Sequence, residues 1–257
     1  MVMSKLTKEC LICIKKTFKK FLSILIIVLL GVGFYAGIKA TSPNMKDTLD
    51  SYYDKVNFFD INILSNYGIS NNNITSLENA GYKVEGSYFI DAIVRNDDDY
   101  AVKVLSYDKN NKINKLILKE GRLPKTSDEC VIEEYGVEAG FDIGDRIVVN
   151  SDSLHQNTMT ITGIVQSPLY ISLERDTTKL LSGMIDFYVY VFEDNFNSDV
   201  YSNVYVDLDI DESVFSDKYE DKIKSEKKEL KKLVKSFESE KYNEIVIDGR
   251  KKIDDAK

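Results

Sequence analysis

Phe21-Leu-Ser-Ile-Leu-Ile-Ile-Val-Leu-Leu-Gly-Val-Gly-Phe-Tyr-Ala-Gly-Ile38 decides the architecture: 18 residues without a charge, preceded by Lys15, Lys16, Lys19 and Lys20 and followed by a long polar chain. The hydrocarbon core of a bilayer is about 30 Å thick and takes roughly 17–25 apolar residues in a helix, so this run is long enough to span it. A secretory signal also begins with basic residues, but its apolar region is typically about 7–15 residues long. Here Ile38-Lys39-Ala40 also puts a bulky residue where cleavage needs a small one. The sequence therefore predicts a retained transmembrane helix over 21–38. Residues 1–20 carry six lysines against Glu9, and Lys and Arg beside a span stay on the cytoplasmic side. The amino terminus is expected inside, and everything after about residue 40 outside the membrane. Within the span, Gly33-Phe-Tyr-Ala-Gly37 is a GxxxG. Gly33 and Gly37 would let a second helix approach closely, although glycine is common in such helices in any case.

The formal charge of −8 is made up of +5 on residues 1–20, +1 on Lys39, +4 on residues 222–257 and −18 on residues 41–221. So acidic a domain repels nucleic acid and anionic headgroups, and points to a soluble outer domain with at most a weak taste for cations. Cys10 and Cys13 form a C-x-x-C on the cytoplasmic side, with no second Cys or His pair to complete a zinc site. Cys130 is alone outside, so no disulfide is expected to staple the outer domain.

The outer part reads as α+β. A strand is expected from Val56 through Ser65, then a short helix capped by Ser70 and Asn71 to Asn73 and closed by Gly81. Tyr82 to Val94, Tyr100 to Tyr107 and Ile113 to Leu118 follow as a predicted antiparallel meander, with polar turns at Asn96 to Asp99 and Asp108 to Asn111. Gly121-Arg-Leu-Pro124 turns the chain before a strand at Glu129 to Glu133, and a short helix at Tyr135 to Ala139 follows. Further strands are expected at Arg146 to Asn150, Met159 to Val165, Gly183 to Phe192 and Asn203 to Ile210. The domain is thus expected to span 41–211 and to be dominated by antiparallel strands.

From Glu212 to Lys257 the composition turns to Lys, Glu, Asp and Ser. Tyr219, Ile223, Leu230, Leu233, Val234 and Phe237 fall at spacings of three, four and seven, the stripe of an amphipathic helix. That helix suits a coiled coil or helical hairpin, or equally a solvated helix packed on the domain. Ile223, Leu230 and Phe237 are the expected partner or intrachain contacts. Glu244 to Ile247 with Gly249 weakens the pattern, as a helix fault or a short strand. The charged pattern runs uncapped to Lys257, which suggests a truncated chain.

These residues carry a family likeness. The basic start, Phe21-Leu-Ser-Ile24, Leu30-Gly-Val-Gly-Phe34, Gly37-Ile-Lys-Ala40 and Pro43-Asn-Met45 resemble the FtsX-like permease family of ABC transporters. Lys119-Glu-Gly-Arg-Leu-Pro124 before Glu129-Cys-Val-Ile132 is similar to the turn and strand of the MacB-like extracytoplasmic core domain. Gly140-Phe-Asp-Ile-Gly-Asp-Arg-Ile147 and Ile161-Thr-Gly-Ile-Val-Gln-Ser-Pro-Leu-Tyr170 resemble the next two segments of that domain, in the same order. The resemblance implies an anchor helix leading into an outer domain. It also implies further permease helices or a second permease copy, and a separate cytoplasmic ABC ATPase whose motion drives work on a lipid, lipoprotein, peptide or cell-wall enzyme. A long helical insertion, as in Gram-positive members, would begin after Glu212.

The motif glycines and prolines specify turns rather than chemistry, and fold does not fix function. No GxxxxGK[ST] phosphate loop occurs in the sequence. The single His155 lies in a polar loop, and Asp97, Asp98 and Asp99 lack the spacing of a calcium loop. No catalytic, cofactor-binding or metal-ligating residue is assigned, and no enzymatic activity is expected. The rival reading is a stand-alone single-pass membrane protein with an extracellular binding or sensor domain.

Overall fold

The structure is a computed structural model that describes residues 5–110, 112–171 and 175–255. It divides into two units, Met1–Ser51 and Tyr52–Lys257.

Helix α1 spans Lys5–Lys16 and α2 spans Phe18–Val56. At 39 residues and 1.5 Å per residue, α2 is about 58 Å long. Among the described residues it is the one helix long and apolar enough to cross a membrane. The helix outruns the predicted span at both ends. Pro43 lies inside it and removes the N–H that would bond the carbonyl of Lys39. The helix nevertheless continues through a polar stretch that contains no glycine, in which Thr48 Oγ1 donates to the Asn44 carbonyl at 2.7 Å and Ser51 Oγ to that of Asp47 at 2.8 Å.

The strand expected from Val56 is therefore corrected. Val56 ends α2, and Asn57 at φ +49° takes the left-handed position of a Schellman stop, with Asn57 N bonded to the Asp54 carbonyl and Phe58 N to that of Tyr53. Strand β1 begins only at Ile61 and runs to Ser70. Helix α3, Asn71–Asn79, starts with Ser70 and Asn73 in a reciprocal capping box.

The strands that follow are β2 Lys83–Ser87, β3 Phe89–Arg95, β4 Asp99–Tyr107, β5 Ile117–Gly121 and β6 Glu129–Glu133. After helix α4, Glu134–Glu138, come β7 Arg146–Val148, β8 Thr158–Gln166, β9 Phe187–Phe192 and β10 Val200–Asp207. Helix α5, Asp217–Asp255, continues through Gly249 without a strand. The strands form a three-stranded sheet, β1-β10-β2, and a seven-stranded sheet, β3-β4-β9-β6-β8-β5, with β7 on β8.

The architecture is α+β, an apolar amino-terminal helix followed by a sheet domain whose pairings are mostly antiparallel, with β4·β9 and β6·β8 as the parallel pairs. The meander is corrected: β5 does not follow β4 in space but pairs with β8 at the far edge. The Tyr82 to Val94 strand is two strands in two sheets. At the switch, Tyr88 stacks on Phe196 with ring centroids 5.2 Å apart and donates its N–H to Ser106 Oγ at 2.9 Å.

Alternation fixes the core. On one face of the large sheet Val102, Val104, Cys130, Ile132, Phe187, Val189 and Val191 bury together, and on the other Leu105, Val131, Val165, Tyr188 and Tyr190. Phe187-Tyr-Val-Tyr-Val-Phe192 is apolar throughout because β9 is central and covered on both faces.

Candidate functional site

Three turns of the second unit converge on β8. Gly121 pairs with Gly163 across the β5·β8 ladder. Gly121 has φ +74°, and a Cβ there would strike the Thr162 carbonyl oxygen; one on Gly163 would lie 2.6 Å from that of Arg122. Glycine is needed at both because two backbones touch. Arg122 N donates to the Thr162 carbonyl at 2.9 Å, and Thr162 Oγ1 donates back to that of Arg122 at 3.1 Å. The Arg122 guanidinium grips Glu129 through both oxygens, while Lys125 N donates to Glu129 Oε2 at 2.9 Å. The Arg122 hydrogen bonds, against a smaller opposing effect of burial, hold the Glu129 carboxyl down at about 2. The second turn bonds through Gly144, at φ +99°, whose N–H reaches the Ile161 carbonyl at 2.8 Å. The third, Ser167-Pro168, ends β8; Ser167 Oγ accepts from Leu169 N at 3.2 Å.

A second constellation lies on the other face of the sheet. Arg175 Nη1 donates to both oxygens of Glu133, at 2.8 and 2.9 Å. Its guanidinium sits 3.9 Å over the Tyr135 ring and 5.2 Å from that of Tyr188. Burial pushes the Glu133 carboxyl up, and Arg175 partly offsets this. Next to it Lys103, 8 % exposed, meets Asp91 at 3.1 Å and Asp176 at 3.5 Å. Arg175 and Asp176 thus tie the segment before β9 to β3, β4 and β6. These side chains are spent on each other: among the described residues no Cys or His adjoins them, His155 is exposed, and Cys130 is buried with its thiol pushed up by burial. Among the described residues, no three His, Cys, Asp or Glu side chains group as metal ligands.

The residues singled out from sequence fall as follows. Gly33 and Gly37 of α2 have open space around them: a methyl group placed on either would meet no atom within 4 Å. Leu230 is 3 % exposed and packs with Ile61, Ile69, Leu77, Val204 and Val206, while Ile223 and Phe237 are half-buried against the same cluster. The first part of α5 is thus an intrachain lid on the small sheet, fixed also by Tyr219 Oη donating to Asp60 Oδ1 at 2.7 Å and Tyr82 Oη to Glu226 Oε2 at 3.0 Å. Further along, a groove of about 1580 Å³ opens beside Tyr67, Phe237 and Tyr242. Sequence reasoning missed Glu133 and Arg175. The available signal was the rarity of arginine, five in the chain, with Arg175 in an otherwise loop-like stretch.

No family model matches the chain, and no curated protein matches it. Among solved structures it is similar to the extracellular domain of the noncanonic ABC-type transporter YknZ from Gram-positive bacteria, at 14% identity and a TM-score of 0.39, covering 60% of this chain and 87% of that one. It is also similar to a domain of a protein of Porphyromonas gingivalis that carries a provisional permease name, at 15% identity and a TM-score of 0.35, covering 57% of this chain and 69% of that one. Superpositions this loose leave function to be argued from the chain's own residues.

Proposed function

We propose that this chain is a permease subunit of an ABC transporter of the FtsX/MacB type, coupling a cytoplasmic ATPase to work on an extracytoplasmic lipid, lipoprotein, peptide or cell-wall enzyme. The observation that carries the reading is the convergence on β8 of Gly121 to Pro124, Gly140 to Ile147 and Ile161 to Tyr170, the three segments that resemble the MacB-like domain. An apolar helix preceding such a domain supports an anchor, and the basic residues before it support a cytoplasmic amino terminus. With no phosphate loop in the sequence, ATP hydrolysis belongs to a partner subunit. In this reading Gly33 and Gly37 pack against further permease helices or a second copy, and the outer unit carries the ATPase stroke beyond the membrane.

The test is co-expression with an ABC ATPase encoded by a neighbouring gene. Co-purification in detergent and a rise in ATP hydrolysis over the ATPase alone are expected. Failure of both with a folded chain overturns the reading and leaves the single-pass binding or sensor protein.

A further inference from the structure

The 10 residues of β1, Ile61–Ser70, carry neither a charge nor a proline. β1 is an edge strand: the small sheet runs β1-β10-β2, and among the described residues nothing pairs with the outer side of β1. Proteins guard such edges with charges or prolines, because unpaired N–H and C=O groups invite another strand. The other sheet edges are guarded, by Lys83 and Glu85 on β2, Asp91 and Arg95 on β3, and Lys119 and Glu120 on β5. In a chain of which 30% is charged, β1 is the edge left open.

The groove of about 1580 Å³ runs along this edge. Every residue from Ile63 to Ser70 lines it, and successive residues of a strand point to opposite faces, so the groove follows the edge of the strand and not one face of the sheet. Midway the register slips between Leu64 and Ile69, and Ser65-Asn-Tyr-Gly68 stands out of the ladder. Gly68, at φ +78°, has no room for a Cβ against Val200, and Ser65 Oγ donates to its carbonyl at 3.1 Å. This loop presents Tyr67, 70% exposed, and α5 brings Phe237 and Tyr242, the latter 68% exposed, to the same groove.

The volume exceeds the roughly 300–1,000 Å³ of small-molecule pockets and suits a length of polypeptide. Among the described residues its lining holds two carboxylates, Asp199 and Glu238, and no Lys, Arg or His. A cation is favoured there both by the carboxylates and by the tyrosine rings. A second copy is disfavoured, because pairing β1 with its own image would bring a second Asp199 and Glu238 beside the first.

We infer that β1 accepts an extended, basic segment of a partner protein as a further strand of the small sheet. Main-chain hydrogen bonds to the open edge set the register. Lys or Arg of the partner meets Asp199, Glu238 and the tyrosine rings, and its alternate apolar side chains rest on Phe237. Docking of this kind does not depend on whether the chain works with an ATPase.

The test adds a peptide of alternating Lys and Val, with one tryptophan, to the full chain in a neutral detergent. The chain has no tryptophan, so the fluorescence of the peptide reports alone. Binding in the micromolar range or tighter is expected. The same peptide with every amide N-methylated keeps its charge but donates no hydrogen bond to an edge, and it is expected to bind roughly tenfold or more weaker, as is a Glu-Val peptide. Asp199→Lys combined with Glu238→Lys, both at exposed positions, leaves the melting temperature unchanged, weakens the Lys-Val peptide by roughly tenfold and strengthens the Glu-Val one. No binding, equal binding of the N-methylated peptide, or unchanged binding by the folded double variant would each overturn the inference. So would a dimer, seen by light scattering, that Tyr67→Asp separates, since the groove would then belong to a second copy.

Discussion

Gly121 and Gly163 stand opposite each other in the β5·β8 pair with no room for a side chain on either. Gly163→Ala drives a methyl group to 2.6 Å from the Arg122 carbonyl and 2.8 Å from that of Glu120. Overpacking of this kind costs about 1–3 kcal/mol, read as a melting temperature lower by roughly 2–4 °C per kcal/mol in a unit of this size. An unchanged melting curve would mean that β5 does not hold this register.

The Arg122–Glu129 pair makes stability depend on acid. The folded carboxyl of Glu129 is lowered to about 2 from its ordinary value near 4.5, so its contribution is full above the unfolded value and is lost as pH falls through the folded one. Denaturation midpoints should therefore fall between about pH 4.5 and 2, and Arg122→Met should flatten that part of the curve. Equal slopes in the two proteins would contradict the pairing. Glu133, raised by burial, acts in the opposite sense, favouring the folded state most where it is protonated.

Arg175→Ala leaves Glu133 charged and unpaired behind β9, at a cost of about 3–5 kcal/mol. Adding Glu133→Gln to Arg175→Ala should recover part of that loss, because the orphaned charge is gone. Chemical denaturation of the single and double variants measures the coupling. Additive losses would show that the two side chains do not depend on each other.

The fold was legible where pattern and turn chemistry agreed. Ser70 and Asn73 marked the start of α3, the alternating Met159 to Val165 marked β8, and the motif glycines marked close backbone contacts. The sequence misled where a long-range contact overruled a local signal. The apolar run marked a span over 21–38 and the alternation after Val56 a strand, whereas the helix runs on to Val56 and ends at the turn of Asn57. An unbroken β-rich run hid the change of sheet at Tyr88, and strand order in a mixed sheet leaves no trace in periodicity. Glu133 and Arg175 are 42 residues apart, a pairing that only the fold reveals.

Leu230→Ala should cost about 2–5 kcal/mol, since it empties a buried position of the small sheet's core. Lys231→Ala, one residue away on the exposed side, should stay within about 0.5 kcal/mol. Similar losses at both positions would mean that α5 lies on the sheet by a different face.

A Cβ at Gly33 or Gly37 meets no atom within 4 Å, so replacing both with Leu should not move the melting temperature of the sheet domain. Chemical cross-linking between membrane helices should fall if the glycines form a helix contact. Unchanged cross-linking would remove them from the packing surface.

The most direct test of the whole account is thiol labelling of cells that express the chain, with a reagent that cannot cross membranes. Cys10 and Cys13 are exposed on α1, Cys130 is buried and silent, and Asp98→Cys would place a thiol on the exposed turn between β3 and β4. In intact cells the thiol introduced by Asp98→Cys is expected to label at once, and Cys10 and Cys13 only after permeabilisation. Labelling of Cys10 and Cys13 in intact cells, with the introduced thiol protected, would contradict the account.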